Sequence, residues 1–190
     1  IDGNIAKRVP DRAPDYFVLD IPRDQVDEFE TLVRNADPGA SWRMVPALRG
    51  SVLAFGSEGA MTRTADLDEI PDGAWALRGE RGLTYADRLP EGNELTEGTW
   101  WGPMYAGEPL VSVDEDFADA AGLKVGDMLT FGVLGVERTA RIANLRRIDW
   151  ESMGFNYVFV LSPNALQDAP HNLAATVELG QGTPTGPLLQ

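Results

Sequence analysis

From Val26 onward the apolar side chains Val26, Phe29, Leu32, Val33 and Ala36 recur at three- and four-residue intervals, with Asp27, Glu28, Glu30 and Arg34 between them. That period predicts an amphipathic helix. Pro22 suits its first turn, where a missing N–H costs nothing, and Asp37-Pro38-Gly39 ends it. The preceding run Tyr16 to Ile21 is apolar on both faces, as a central strand requires. Ser41 to Ala47 and Gly50 to Phe55 read as extended, so the chain opens as strand, helix, strand.

Residues 56 to 108 carry many glycines and prolines and little sustained period, with a short strand expected at Trp75 to Arg78. Order returns at Pro109 to Val113, an extended run followed by Asp114, whose carboxylate is placed to cap a short helix beginning with Glu115 and Asp116. Phe117, Ala118 and Ala121 are its inward face, and Gly122 stops it in the left-handed conformation. Gly126-Asp127 turns the chain into Met128 to Val133. Leu134-Gly135 turns it again, and Val136 to Leu145 alternates, with Val136, Ala140 and Ile142 opposed to Glu137, Thr139 and Arg141. Phe155 to Leu161 is a further strand, Ser162-Pro163-Asn164 opens a helical turn through Leu166, and Leu173 to Leu179 is the last strand. Residues 1–15 are a polar lead-in and 181–190 a Gly- and Pro-rich linker tail.

Composition narrows the function. With 190 residues, 43% hydrophobic and 24% charged, the chain can bury a real core. Sixteen Lys plus Arg against 30 Asp plus Glu give a net charge of −14, which disfavours nucleic acid and anionic membrane surfaces. The absence of cysteine excludes disulfides, thiolate metal sites and a cysteine nucleophile. No stretch reaches the roughly 20 apolar residues of a membrane span. A start at Ile1 without methionine suggests a segment cut from a longer polypeptide.

Reactive constellations are scarce. The single histidine, His171, sits in a Pro-His-Asn turn, and G-x-S-x-G, P-loop, G-x-G-x-x-G and H-E-x-x-H patterns are all missing. Asp66, Asp68 and Glu69 lie close together but lack the ligand spacing of a calcium loop. Asp114, Glu115 and Asp116 leave an acid-pair hydrolase open as an alternative. Tryptophans are more telling: Trp42, Trp75, Trp100, Trp101 and Trp150 each bring a large apolar area and one N–H, the signature of a core edge or an interface. If extended, Trp100 and Trp101 point to opposite faces, one of them outward.

Several segments carry a resemblance. Ala13 to Ile21 with Gln25, then Pro46-Ala47-Leu48-Arg49-Gly50, Arg81 to Tyr85 with Leu89-Pro90 and Asn93, and Gly98 to Trp101 occur in order. Val111-Ser112-Val113 through Gly126 to Phe131 follow, and then Leu145 to Tyr157, with its arginines, Asp149-Trp150 and Asn156-Tyr157. Together they resemble the second large periplasmic domain of YbbP-type permeases in the FtsX and macrolide-exporter (MacB-like) superfamily of ABC transporters, over most of residues 13 to 179. Residues 56 to 75 match less well, and Gly154 stands where the family often has proline.

The resemblance implies an α+β fold in two subdomains. Residues 16–55 with 149–180 form a βαβ porter-like layer, and 56–148 form a β-rich, Sabre-like insertion. It implies no catalysis and no cofactor in this domain. The implied role is a periplasmic domain of an inner-membrane protein that couples the ATP-driven motion of a cytoplasmic ABC ATPase to export or extraction of lipid-like or hydrophobic cargo. A periplasmic lysophospholipase-type or adaptor protein is the implied outer partner. Arg146 is then expected as an ion-pair or carbonyl clamp at the subdomain junction, with Asp149 as its partner and Trp150 as a packed wedge. Asn156, Trp100 and Trp101 are the other interface candidates. A stand-alone periplasmic ligand- or protein-binding module is the alternative, because the pattern from Gly122 to Phe131 also resembles small binding β-barrels.

Overall fold

The computed structural model describes residues 15–150 and 156–180, and the fold is mixed α+β, mostly strands with few helices. The described residues divide into two compact units, 15–47 with 150 and 171–180, and 48–149 with 156–170.

In the first unit, strand β1 (Tyr16–Ile21), helix α1 (Val26–Ala36) and the first residues of strand β2 (Ser41–Ser57) follow one another as predicted, but β1 is an edge strand among the described residues, with Phe17 and Leu19 exposed, and not the central strand that its apolar faces suggest. Strand β10 (Asn172–Glu178) pairs antiparallel with both β1 and β2, so those two run parallel on either side of it. Val33 of α1 is 1% exposed and packs, with Phe29, against Tyr16, Val18, Trp42, Val177 and Leu179. Tyr16, Val18, Trp42 and Val177 fall on one pleat face, with Leu179 just beyond β10, which is why the helix needs a single apolar stripe.

The second unit is a ring. Taking β4 (Arg81–Tyr85), β6 (Leu110–Asp114), β7 (Met128–Val133), β8 (Val136–Ile148) and β9 (Phe159–Leu161), the pairing runs β2, β4, β9, β6, β8, β7 and back to β2. A sheet closed in this way has no open edge along its six strands. Two of the pairings, β4 with β9 and β6 with β8, are parallel, so tight hairpins cannot make those connections. Two further strands extend it: β3 (Ala60–Arg63) pairs with the end of β2, and β5 (Asn93–Gly98) with the end of β8.

The ring is filled by side chains. Leu83, Val111, Leu129, Phe131, Phe159 and Leu161 are fully buried. Phe159 meets Phe131 and Phe117 edge-on, at centroid distances of 5.1 and 5.2 Å. Phe117 comes from helix α2 (Glu115–Ala121), which begins where expected: the Asp114 carboxylate accepts the Phe117 N–H at 3.1 Å, and Gly122 ends the helix at φ 73°. Helix α3 (Pro163–Leu166) adds Ala165 and Leu166 to the same core.

Several elements differ from the sequence expectation. The stretches at 41–47 and 50–55 are one strand, because Gly50 does not break it: a Cβ there would meet the Gly132 carbonyl oxygen at 2.8 Å, so glycine permits a close approach of strands. Trp75–Leu77 is a 3-10 turn rather than a strand, since Ala76 and Leu77 both bury while Trp75 faces out. The strand expected at 155–161 is Phe159–Leu161, and Phe155 lies outside the described residues. The pairing of 48–57 and of 159–161 is with strands of the second unit. Leu48 to Gly50 pair with β4, and β9 sits between β4 and β6.

Candidate functional site

The densest polar arrangement among the described residues lies inside the second unit, at the end of β8. Pairing of β6 with β8 skips Ala143, a bulge that re-aims the strand, and Asn144, Leu145 and Arg146 are buried in succession. Arg146 is 0% exposed. Its Nε donates to Ser112 Oγ at 2.7 Å and one Nη to Asn93 Oδ1 at 2.5 Å. The other Nη donates to the carbonyls of Ser112 (3.3 Å), Tyr157 (2.8 Å) and Val158 (2.9 Å).

The network extends on both sides. Ser112 Oγ, which accepts from Arg146, donates to Asn144 Oδ1, and Asn144 Nδ2 donates to the Thr99 carbonyl at 3.1 Å. Asn93 Nδ2 reaches the Glu91 carbonyl at 3.0 Å. One guanidinium therefore ties β5, β6, β8 and the 157–158 segment together. Its fork of donors matches converging carbonyls in a way that a lysine ammonium could not. Burial lowers the Arg146 pKa to about 10, partly offset by the nearby Asp114 charge, and the group stays cationic at neutral pH. Asp114 is 5% exposed, and burial raises its pKa, opposed by the Phe117 N–H and by Arg146.

The other residues named from the sequence are distributed as follows. Asp149 follows β8 in the second unit, and its N–H donates to the Gly92 carbonyl at 3.0 Å. Among the described residues the acceptors of Arg146 are Asn93, Ser112, Tyr157 and Val158, all within its own unit. The guanidinium is thus a carbonyl clamp inside one unit. Trp150 is 48% exposed, and Asn156 is half-buried. Trp100 and Trp101 do not diverge: their rings stack at 4.1 Å, because the chain there is not a strand. Both indoles donate backward, Trp100 to the Asp87 carbonyl at 3.0 Å and Trp101 to the Ala86 carbonyl at 2.8 Å. Trp101 is 6% exposed and Trp100 half-buried.

Sequence reasoning missed Ser112, Asn144 and Asn93 as partners of Arg146. The signal was available: Ser112 and Asn144 interrupt otherwise apolar strand runs, and a buried polar side chain requires a partner. The acidic trio at 114–116 divides its roles. Asp114 caps α2, and Glu115 lies 3.7 Å from the Arg147 guanidinium. Arg141 is a second tie. It donates to Glu108 (3.0 Å), Glu58 (2.9 Å) and the Gly126 carbonyl (3.0 Å), and those carboxylates raise its pKa further. Among the described residues no group of three or more His, Asp or Glu side chains is placed to hold a metal ion. Among the same residues no helix is long and apolar enough to cross a membrane.

No family model matches the chain. It is 28% identical over 166 residues to YbbP, an ABC transporter permease of Escherichia coli (strain K12). The match takes in 87% of this chain but 19% of the permease, so the chain spans about a fifth of the length of the relative it matches. The homology supports the resemblance to YbbP-type permeases drawn from residues 13 to 179.

Proposed function

We propose that the chain is an extracytoplasmic (periplasmic) domain of an ABC transporter permease, a non-enzymatic relay between the moving membrane part and the outside. The observation that carries this is similarity to a permease across nearly the whole chain. The first unit corresponds in this reading to the porter-like subdomain and the second to the β-rich, Sabre-like one. A cytoplasmic ABC ATPase supplies the motion, hydrophobic or lipid-like cargo is exported or extracted, and a periplasmic lysophospholipase-type or adaptor protein receives it.

A relay needs parts that move without deforming. The closed ring and its buried Arg146 network favour this reading, because a cooperative, fully satisfied polar core resists local opening. Asp149, Trp150 and Asn156 follow Arg146 along the chain, and in this reading they are the residues that pass the motion on.

The test uses the full-length permease with its ATPase. Met104 is 91% exposed and the chain has no cysteine, so Met104→Cys gives a single reporter in this domain. A membrane-impermeant maleimide is expected to label it in cells whose inner membrane is intact. Trp150→Ala and Asp149→Ala are expected to lower transport-coupled ATP hydrolysis while the isolated chain melts as before. Protection of the Met104→Cys thiol until the inner membrane is broken, or unchanged coupling in both variants, sinks the reading.

A further inference from the structure

The seven residues from Trp75 to Arg81 (WALRGER) make a surface that neither folding nor the transport reading explains. Their 3-10 turn buries Ala76 (0%) and Leu77 (3%), which forces Trp75 outward, 47% exposed. Gly79, at φ 68° with open space around its Cα, turns the chain into β4 and brings Arg81 back over the indole. The Arg81 guanidinium carbon lies 4.9 Å from the ring centroid, and one Nη donates to the Trp75 carbonyl at 3.2 Å. An exposed indole held in this way is a pre-organised aromatic platform, and little entropy is left for a ligand to remove.

The chain carries 30 acidic against 16 basic residues, yet three arginines, Arg49, Arg78 and Arg81, gather here, and Arg49 bonds Glu80. Arg78 is exposed and makes no side-chain hydrogen bond or ion pair with the described residues. Arg49 holds Glu80 only at 3.4 Å, and its own side chain is 66% exposed. Arg81 Nε is buried with no hydrogen-bond partner, an unused donor of the kind that normally has one.

We infer that Trp75, Arg78 and Arg81 form a binding site for an anionic amphiphile. Arg78 takes the oxyanion headgroup. Arg81 adds positive charge and fixes the indole, and the open part of the Trp75 ring receives the apolar body. Arginine suits this because its planar fork pairs with phosphate or carboxylate oxygens. A ligand with the headgroup alone or the chain alone meets half of the site. The site uses residues of the second unit only, and its ligand falls within the lipid-like class of the transport reading without its argument resting on that reading.

The experiment is a titration followed by 1H–15N NMR on the 190-residue chain, with the Trp75 indole signal identified by its loss in Trp75→Phe. The probes are hexyl phosphate, inorganic phosphate, hexanol and a triglutamate peptide. Hexyl phosphate is expected to shift the Trp75 indole and Gly79 amide signals and to saturate well below the other three. Arg78→Glu, at an exposed position, is expected to weaken it about tenfold or more without disturbing the spectrum elsewhere, and Arg78→Lys to lose less. Vesicles of phosphatidylcholine with and without phosphatidylglycerol separate a membrane-borne headgroup from a dissolved amphiphile. Either source fits, provided Arg78→Glu weakens it to the same extent. Saturation by phosphate alone at the same concentration, tighter binding of triglutamate, no shift with any probe, or indifference to Arg78→Glu overturns the inference.

Discussion

Arg146 and Asp114 are register partners across the parallel β6–β8 pair, yet the guanidinium donates to carbonyls and neutral side chains and the carboxylate accepts from the Phe117 N–H. Their attraction is through space. It lowers the cost of burying each charge without consuming the hydrogen bonds that each makes elsewhere. The pair therefore joins two structural tasks, closing the ring's polar core and starting α2, in one electrostatic unit.

Removing the guanidinium should be severe. Arg146→Ala leaves the Tyr157 and Val158 carbonyls, Ser112 and Asn93 without their donor. Each orphaned group costs about 1–3 kcal/mol, so a loss of at least about 3 kcal/mol in urea unfolding is expected. Arg146→Lys should recover only part of it, because an ammonium cannot span acceptors so widely separated. A loss below about 1 kcal/mol for Arg146→Ala would show that the network is replaceable.

Asp114 predicts a pH dependence of defined sign. Burial raises its carboxyl pKa above the ordinary 3.8, so the folded chain binds this proton more tightly than the unfolded one. The contribution is fully present below the unfolded value and is lost as pH rises through the raised folded value. Asp114→Asn keeps an acceptor for the Phe117 N–H but has no proton to exchange. Stability of the wild type relative to Asp114→Asn should thus increase from neutral toward acidic pH, measured by urea unfolding at several pH values. A flat difference removes the linkage. Asp114→Ala should lose the cap as well, about 1 kcal/mol at neutral pH.

What the sequence disclosed and what it hid divide along the range of the forces involved. Helix α1, the cap at Asp114, the stop at Gly122 and the hairpin turn between 133 and 136 are fixed by neighbours within a few residues, and each stands where its pattern indicates, with β8 running three residues beyond the expected end at Leu145. The ring is fixed by pairings such as Thr84 with Val160 and Val52 with Phe131, remote in sequence, which no local period encodes. Arg146 was visible as a candidate, but its partners Asn93 and Ser112 are 53 and 34 residues away. The stacked Trp100 and Trp101 were misplaced for a related reason. The Ala86 and Asp87 carbonyls that pull both indoles to one side are set by the fold of another segment.

The hairpin tip carries a removable cost. Leu134 sits at φ 52°, a left-handed conformation that disfavours a branched apolar side chain, and it is 70% exposed. Asparagine is the favoured occupant before glycine in such a turn. Leu134→Asn is expected to stabilise the chain by about 1 kcal/mol, read as a higher midpoint in thermal or urea unfolding. An unchanged or lower midpoint would mean that Leu134 makes compensating contacts.

Two glycines with nearly the same backbone angle separate strain from space. Gly98, at φ 79°, ends β5 opposite the β8 bulge; Gly135, at φ 82°, follows Leu134 in the hairpin turn. A Cβ at Gly135 meets nothing within 4 Å, so Gly135→Ala should cost only the left-handed penalty, about 1–2 kcal/mol. A Cβ at Gly98 runs into the Ala143 carbonyl oxygen and approaches the Asn144 Cα at 2.8 Å, and both are backbone atoms that no rotamer change can move aside. Displacing Asn144 also disturbs its bonds to Ser112 and Thr99 and, through Ser112, the Arg146 clamp. Gly98→Ala should therefore destabilise by about 3 kcal/mol or more and also accelerate exchange of amide hydrogens in β5 and around Tyr157 and Val158. Gly135→Ala should leave that exchange unchanged. Equal costs for the two substitutions would mean that the β5–β8 contact yields at the bulge, and that the Arg146 network is not held from that side.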